Sequence, residues 1–292
     1  MKTAILGDIH ANLVAFQAVI EQVDAWKPDH VLLVGDLVNR GPCPAECLAL
    51  FQERQVADGW ETVRGNHEEY VISQANHGHR LNQSEAAVHQ ATIWTYQQLG
   101  CDVSPLQTMP FQHNLAAPDG SVLRLTHGSM AGLRTGIYPF TTITELRGLI
   151  QPAPAVICVG HTHRALIRQI DDTLVVNAGS VGLPFDGDTR TGYAQLTWSK
   201  TAGWQAKLVR FRYDLEQANR DFEQTGYLAG GGPLVKLVEI ELCTASSQLY
   251  NWAVRYQELA LQGKISMADS VARHIAEDST ANPPVWSLGD LD

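Results

Sequence analysis

The chain has no long uncharged apolar run, no cysteine framework and no surplus of basic residues. Each absence excludes a class. Without an apolar stretch of about 20 residues, nothing reads as a membrane-spanning helix. The opening MKTAILGD reaches Asp8 after too few apolar residues for a secretory h-region. The five cysteines, Cys43, Cys47, Cys101, Cys158 and Cys243, are odd in number and scattered. That pattern fits neither a disulfide scaffold nor a four-cysteine zinc spacing, and it leads us to expect reduced thiols in a soluble cytoplasmic protein. With 21 Lys plus Arg against 31 Asp plus Glu, the formal charge is −10. Bulk nucleic-acid binding is therefore not expected, nor is membrane attachment, and any anion must be met by local charge.

What the sequence does carry is a strand-helix-strand opening. Residues 2–6 are apolar, and Leu13, Phe16, Val19, Ile20 and Val23 recur at helical spacing with Asn12 as N-cap and Pro28 as stop. VLLVGD at 31–36 reads as a second buried strand. The two strands of such a unit run parallel, so Asp8, His10 and Asp36 lie at neighbouring carboxyl ends, the edge where open sheets bind ligands. If the first strand stays extended through residue 10, Asp8 and His10 share one face. Pro44 starts a helix over 44–56, and ETVRGN at 61–66 reads as a short third strand.

Residues 68–110 are mixed polar with one helical pattern, 84–98, and are expected to form a lid. Strands dominate from 111 to 214, with turns at DDT and KTAG implying antiparallel pairs in a mixed sheet. After Tyr213 the pattern turns helical, broken at Gly230-Gly231-Gly232-Pro233. Segment 229–292 reads as a helical C-terminal extension with enough apolar residues to dock on the rest of the chain or to build a homo-oligomer. No internal repeat is visible.

Five motifs follow or end apolar strands: Asp8-Ile9-His10, Gly35-Asp36, Gly65-Asn66-His67-Glu68, His127-Gly128 and Gly160-His161-Thr162-His163. Each alone is weak. Together they offer carboxylates, imidazoles and an amide oxygen without a thiolate, a donor set suited to Mn, Fe, Zn or Co held for hydrolysis.

In these motifs the chain resembles the calcineurin-like metallophosphoesterases, in the bacterial branch that reads GDIHxN in its first strand and NxGSVG late in the chain, here Asn177 to Gly182. The resemblance spans about residues 1–228. It implies an α/β fold, a four-layer α-β-β-α sandwich of two mixed β-sheets, as a catalytic domain ahead of the extension. It also implies two divalent cations, manganese first and otherwise iron, zinc, cobalt or nickel. Carried over motif by motif, Asp8, His10 and His163 would hold one metal and Asn66, His127 and His161 the other, with Asp36 bridging. Two metals about 3.5–4 Å apart can activate a bridging hydroxide for direct attack on phosphorus. His67 would stand beside the leaving group as general acid or electrostatic partner. GDLVNRG and VRGNHE further resemble the phosphoprotein phosphatases, whose matching arginines grip phosphate, which makes Arg40 and Arg64 candidates for phosphate binding.

That branch has Asp where this chain has Asn39, which brings no charge to His67 and lowers its expected pKa. His77 and His79 read as solvated, Cys43 and Cys47 as small apolar residues, and Gly179 and Gly182 as tight-turn positions near the metals. The expected activity is hydrolysis of a small phosphorylated substrate, a mono- or diester. Dinucleoside-polyphosphate hydrolysis and protein phosphatase activity stand behind it, as does a scaffold without catalysis.

Overall fold

A computed structural model describes residues 1–77 and 82–281, with the side chains of 76, 77, 83 and 278–281 also left aside. His79 and the acidic, Pro-rich residues 282–292 lie outside the described residues, as does the His77 side chain.

The chain runs β1 (Lys2–Leu6), α1 (Leu13–Trp26), β2 (His30–Leu33), α2 (Pro44–Asp58), β3 (Glu61–Thr62), α3 (Asn66–His77), α4 (Gln83–Gln98), α5 (Ser104–Gln107), β4 (Gln112–Ala116) and β5 (Val122–Thr126). It continues through α6 (Ile143–Leu149), β6 (Val156–Val159), β7 (Leu166–Ile170), β8 (Thr173–Asn177), β9 (Thr191–Ser199) and β10 (Gly203–Phe211). Helices then follow: α7 (Leu215–Gln224), α8 (Tyr227–Gly230), α9 (Val235–Thr244), α10 (Gln248–Trp252), a π-turn (Ala253–Gln257), α11 (Glu258–Leu261) and α12 (Met267–Ala281).

Two five-stranded mixed sheets result, in the orders β10-β9-β1-β2-β3 and β4-β5-β6-β8-β7. β1 pairs parallel with β2, as the strand-helix-strand reading required, and the DDT and KTAG turns join the antiparallel pairs β7/β8 and β9/β10. The central strands bury both faces, which is why they read as apolar runs instead of alternating patterns. Ile5, Leu32 and Val63 meet Leu123, Leu125, Val156 and Val176 between the sheets. On the outer face of the first sheet Ala4, Leu6 and Leu33 pack under Phe16, Val19 and Phe51 of α1 and α2. On the outer face of the second, Ile157, Val159 and Val175 pack against Leu146 of α6. These are the four layers expected from the resemblance, with the C-terminal helices added.

Local chemistry sets the helix ends. Asn12 accepts the Ala15 N–H through its side chain at 3.0 Å, and the helix stops at Trp26 ahead of Pro28. Pro44 opens α2. Asn82 and Glu85 form a capping box on α4.

Two expectations change. The third strand shrinks to Glu61–Thr62, and the GNHE motif instead opens a helix, α3. The missed helix turns a polar face inward: Asn66, His67, Glu68 and Gln74 are buried beside Val71. Its periodicity is thus one of buried polar groups, which a search for apolar spacing does not find.

The helices from α8 onward dock on the same chain. Tyr227, Val235, Val238 and Leu242 join Trp94 of α4 in one apolar cluster, and Leu237, Trp252, Tyr256 and Val271 form the next. The Gln90 side chain donates to the Gly230 carbonyl at 3.1 Å.

Candidate active site

Every motif follows a strand of the parallel set. Asp8 and His10 come after β1, Asp36 after β2, Asn66 and His67 after β3, His127 after β5, and His161 and His163 after β6. The carboxyl ends of the two sheets meet at one edge, and the motif loops converge there.

The loops reach this convergence through left-handed backbone. His10, Ala11, Asp36, Asn39, Arg40, His161 and His163 all have φ between 50° and 70°. β1 ends at Leu6, so Asp8 and His10 do not meet as alternate residues of an extended strand. A turn brings them together, with the N–H groups of Ile9 and His10 both donating to the Asp36 carbonyl, at 3.0 and 2.9 Å. Such conformations cost about 1–3 kcal/mol each outside glycine and persist where the surroundings enforce them, most often at functional sites.

Asp8, His10, Asp36 and His163 are all buried, and their ligand atoms lie within 4.8 Å of one another. His10 Nδ1 donates to the Asn39 carbonyl at 3.3 Å and His163 Nδ1 to the Leu183 carbonyl. A carbonyl only accepts, so each ring carries its proton on Nδ1. The two Nε2 atoms, 3.0 Å apart, therefore face each other with lone pairs. Burial holds both rings well below the usual imidazole pKa, with the Arg40 charge adding to it, so no proton relieves the contact. The buried Asp8 carboxylate borders the same space, its Oδ1 3.7 Å from His163 Nε2, while its Oδ2, turned toward Gly160, has no hydrogen-bond partner. Facing lone pairs beside a buried carboxylate are what a cation would satisfy, and the donor set suits a divalent metal.

A second group adjoins the first. His127 Nδ1 donates to the Val34 carbonyl at 2.8 Å, which turns Nε2 toward Asn66 Oδ1 at 2.8 Å and Asp36 Oδ2 at 3.3 Å. His161 Nδ1 meets the same Asn66 oxygen at 2.8 Å. Asp36 Oδ2 is 3.6 Å from His10 Nε2, so this carboxylate touches both groups. Burial opposes a charge on His127, yet Asp36 overrides it and holds the ring up to about 9. A proton between His127 and Asp36 stands where a cation would stand. Burial also raises Asp36, but the His127 charge and hydrogen bond prevail and keep it well below the carboxylate range. Asp8, pushed up by burial, reaches about 7.

His67 lies against the cluster, its ring edge-on to His10 at 4.8 Å, and burial takes it down to about 3. Arg40 is partly exposed; its guanidinium sits 6.0 Å over the Phe185 ring, which stacks on His163 at 4.3 Å. Arg64 is held by its backbone N–H on the Pro110 carbonyl at 2.8 Å, and its Nε is buried without a hydrogen-bond partner.

Glu68 closes the GNHE motif, and the sequence alone assigns it no role. Its buried carboxylate accepts the N–H groups of Asp36 (2.8 Å), Leu37 (2.9 Å), Val38 (3.3 Å) and Gly65 (2.7 Å), pinning the Asp36 turn to the Asn66 turn. A Cβ at Gly65 would stand 2.0 Å from Asp36 Oδ1, so glycine is required for that contact. The signal available in sequence was an acidic residue in the first turn of an unrecognised helix.

The calcineurin-like phosphoesterase superfamily domain matches residues 1–201. Across 84% of this chain and 99% of its own length, the crystal structure of a metallophosphoesterase from Sphaerobacter thermophilus superposes with a TM-score of 0.64 at 25% identity. An uncharacterized protein of Methanocaldococcus jannaschii, MJ0912, is 22% identical over 74% of this chain and 89% of its own. The symmetrical bis(5'-nucleosyl)-tetraphosphatase of Chromohalobacter salexigens is 36% identical over 29% of this chain, and the match spans 31% of that enzyme.

Proposed function

Because the chain belongs to the calcineurin-like phosphoesterase superfamily, we propose that it hydrolyses phosphate esters at two divalent cations. Asp8, His10 and His163 would hold one and Asn66, His127 and His161 the other, with Asp36 within reach of both. The observation that carries this reading is the pair of His10 and His163 Nε2 lone pairs facing at 3.0 Å beside the buried Asp8 carboxylate, whose Oδ1 is 3.7 Å from His163 Nε2. When bound, the cations supply Lewis acidity toward the phosphoryl oxygens and acidify a water for attack on phosphorus.

The chain's own residues do the rest. Val34, Asn39 and Leu183 carbonyls fix which nitrogen of His127, His10 and His163 is free. Glu68 holds the Asp36 and Asn66 loops in register. His67, neutral at pH 7 with Nδ1 taken by the Asn39 amide, keeps its proton on Nε2 and donates a hydrogen bond from it to the departing oxygen as charge develops there. Arg40 and Arg64 supply positive charge for the phosphate.

Similarity to the symmetrical tetraphosphatases supports a second reading of the substrate as a dinucleoside polyphosphate. Manganese-loaded protein assayed on p-nitrophenyl phosphate, bis(p-nitrophenyl) phosphate and diadenosine tetraphosphate separates the monoester, diester and polyphosphate readings. Asp36→Asn is expected to lower turnover on the preferred substrate by about 10²- to 10³-fold and to reduce metal content by elemental analysis. Inactivity of the wild type on all three substrates sends the reading to a scaffold instead.

A further inference from the structure

The C-terminal helices place a carboxylate beside the phosphate-binding candidate. Glu241 of α9 is fully buried. Its Oε1 accepts the N–H groups of Gln248 and Leu249, at 2.7 and 2.8 Å, and caps the turn into α10. Its Oε2 makes no hydrogen bond and stands 3.8 Å from Arg40 Nη1. The hydroxyl of Tyr227, also fully buried, has no hydrogen-bond partner and lies within the field of both Arg40 and Glu241. A buried carboxylate with one bare oxygen is costly unless a cationic partner compensates it, and Arg40 is that partner. On its other side Arg40 leans over Phe185, which stacks on His163, and its charge reaches His10, His67, His161 and His163. The backbone joins the same parts, for Gly187 N–H donates to the Ala245 carbonyl at 3.1 Å, tying the loop after Phe185 to the end of α9.

We propose that Glu241 is a positioning residue for Arg40, so that the C-terminal helices are part of the phosphate-binding site and not an appendage to it. The proposal rests on the phosphoesterase reading and on Arg40 meeting the phosphoryl group. Glu241 pairs with Nη1 at 3.8 Å and fixes the guanidinium beside Phe185, the ring that stacks on His163. Without the carboxylate the long arginine side chain is free to explore other rotamers, and phosphate affinity falls through lost preorganisation.

The test uses full-length, metal-loaded protein. Glu241→Gln keeps the Oε1 acceptor for Gln248 and Leu249 and removes the charge. It is expected to raise KM for the best ester, and the calorimetric Kd of inorganic phosphate, by about 5- to 20-fold, with kcat changed by less than about 3-fold and metal content unchanged. In an Arg40→Met background the same substitution should leave KM and the phosphate Kd where they are, because the residue it acts through is gone. Arg40→Met alone should lower the melting temperature by stranding Glu241, and adding Glu241→Gln should restore it, a readout that needs no turnover and covers the case where the single Gln variant folds poorly. Unchanged phosphate affinity in Glu241→Gln, or additive effects in both cycles, overturns the proposal. Wild-type protein that turns over no ester and binds no phosphate overturns the phosphoesterase reading, and this one with it.

Discussion

The side-chain amide of Asn39 lies 3.0 Å from Nδ1 of His67, and its orientation is set from outside the pair. Asn39 Oδ1 accepts the Arg40 N–H at 2.9 Å and the Thr95 hydroxyl at 3.3 Å. A backbone N–H can only donate, so the oxygen must face it and Nδ2 must donate to His67. His67 is therefore neutral with its proton on Nε2. An aspartate at this position could only accept, which would move the proton to Nδ1. Asn39→Asp is expected to lower kcat by about 10- to 100-fold at pH 8 and to recover part of it as the pH falls and the imidazolium forms. Nitrogen-15 shifts of the His67 ring report the tautomer directly; an unchanged Nε2–H signal in the variant removes this role from Asn39.

Glu68 carries a structural prediction of its own. Four backbone donors converge on its carboxylate, and burial together with the Asp36 charge pushes it up to about 7. Glu68→Gln turns two N–H donors of its own toward those four, leaving at least one buried donor unmatched. A loss of about 3 kcal/mol of stability is expected, measured by urea unfolding, together with weaker metal binding because the Asp36 and Asn66 turns separate. A variant as stable as wild type would mean that water replaces the carboxylate there.

Metal removal and pH act on the same groups. In metal-free protein His127 is held up to about 9, against about 6.5 for an unfolded imidazole. The folded state thus binds more protons than the unfolded one between those values. The stability contributed by this ring is complete below pH 6.5 and is lost as pH rises through 9. His10, His67, His161 and His163 are already neutral across that window, and Asp8, at about 7, is losing the last of its protons. Chelator-stripped protein is expected to melt at progressively lower temperature from pH 7 to 9, while metal-loaded protein stays level. Metal binding must displace the His127 proton, so apparent affinity should rise by up to about 10-fold per pH unit over the same range. Calorimetry in buffers of different ionisation enthalpy counts that proton.

How much of this was legible in the sequence depends on what each residue's signal was. Asp8, His10, Asp36, Asn66, His127, His161 and His163 are polar residues stranded after apolar runs, and such residues need a reason that local structure does not offer. Their convergence could be read from the parallel β1/β2 arrangement and the family resemblance. Strand alternation does not account for Asp8 and His10, because left-handed turns bring them together. α3 was invisible because its buried face is polar. Glu241 was beyond reach for a different reason: within VKLVEIELCT it reads as one more solvated charge on an apolar helix, and only the docking of α9 against Phe185 and Arg40 gives it a partner.

The loop at 177–182 yields the last prediction. A Cβ on Gly182 would fall 1.8 Å from the Ile9 carbonyl oxygen, inside any tolerable contact. The loop lies that close because it is stitched to the first motif: Gly182 N–H and the Ser180 hydroxyl both donate to the Asp8 carbonyl, at 3.1 and 2.6 Å, and Asn12 Nδ2 donates to the Gly182 carbonyl at 3.0 Å. The glycine thus allows a second strand end to clamp the Asp8–His10 turn from the side opposite Asp36. In Gly182→Ala the loop must retreat, and because Leu183 supplies the carbonyl that orients His163, the retreat reaches the first cation group. Metal affinity is expected to fall by about 10- to 100-fold, a larger effect than on unfolding, and the His163 side of the site should be lost before the Asn66 side. Metal titration followed by a paramagnetic ion's effect on the histidine resonances distinguishes the two, and equal weakening of both groups would place the glycine's importance in folding alone.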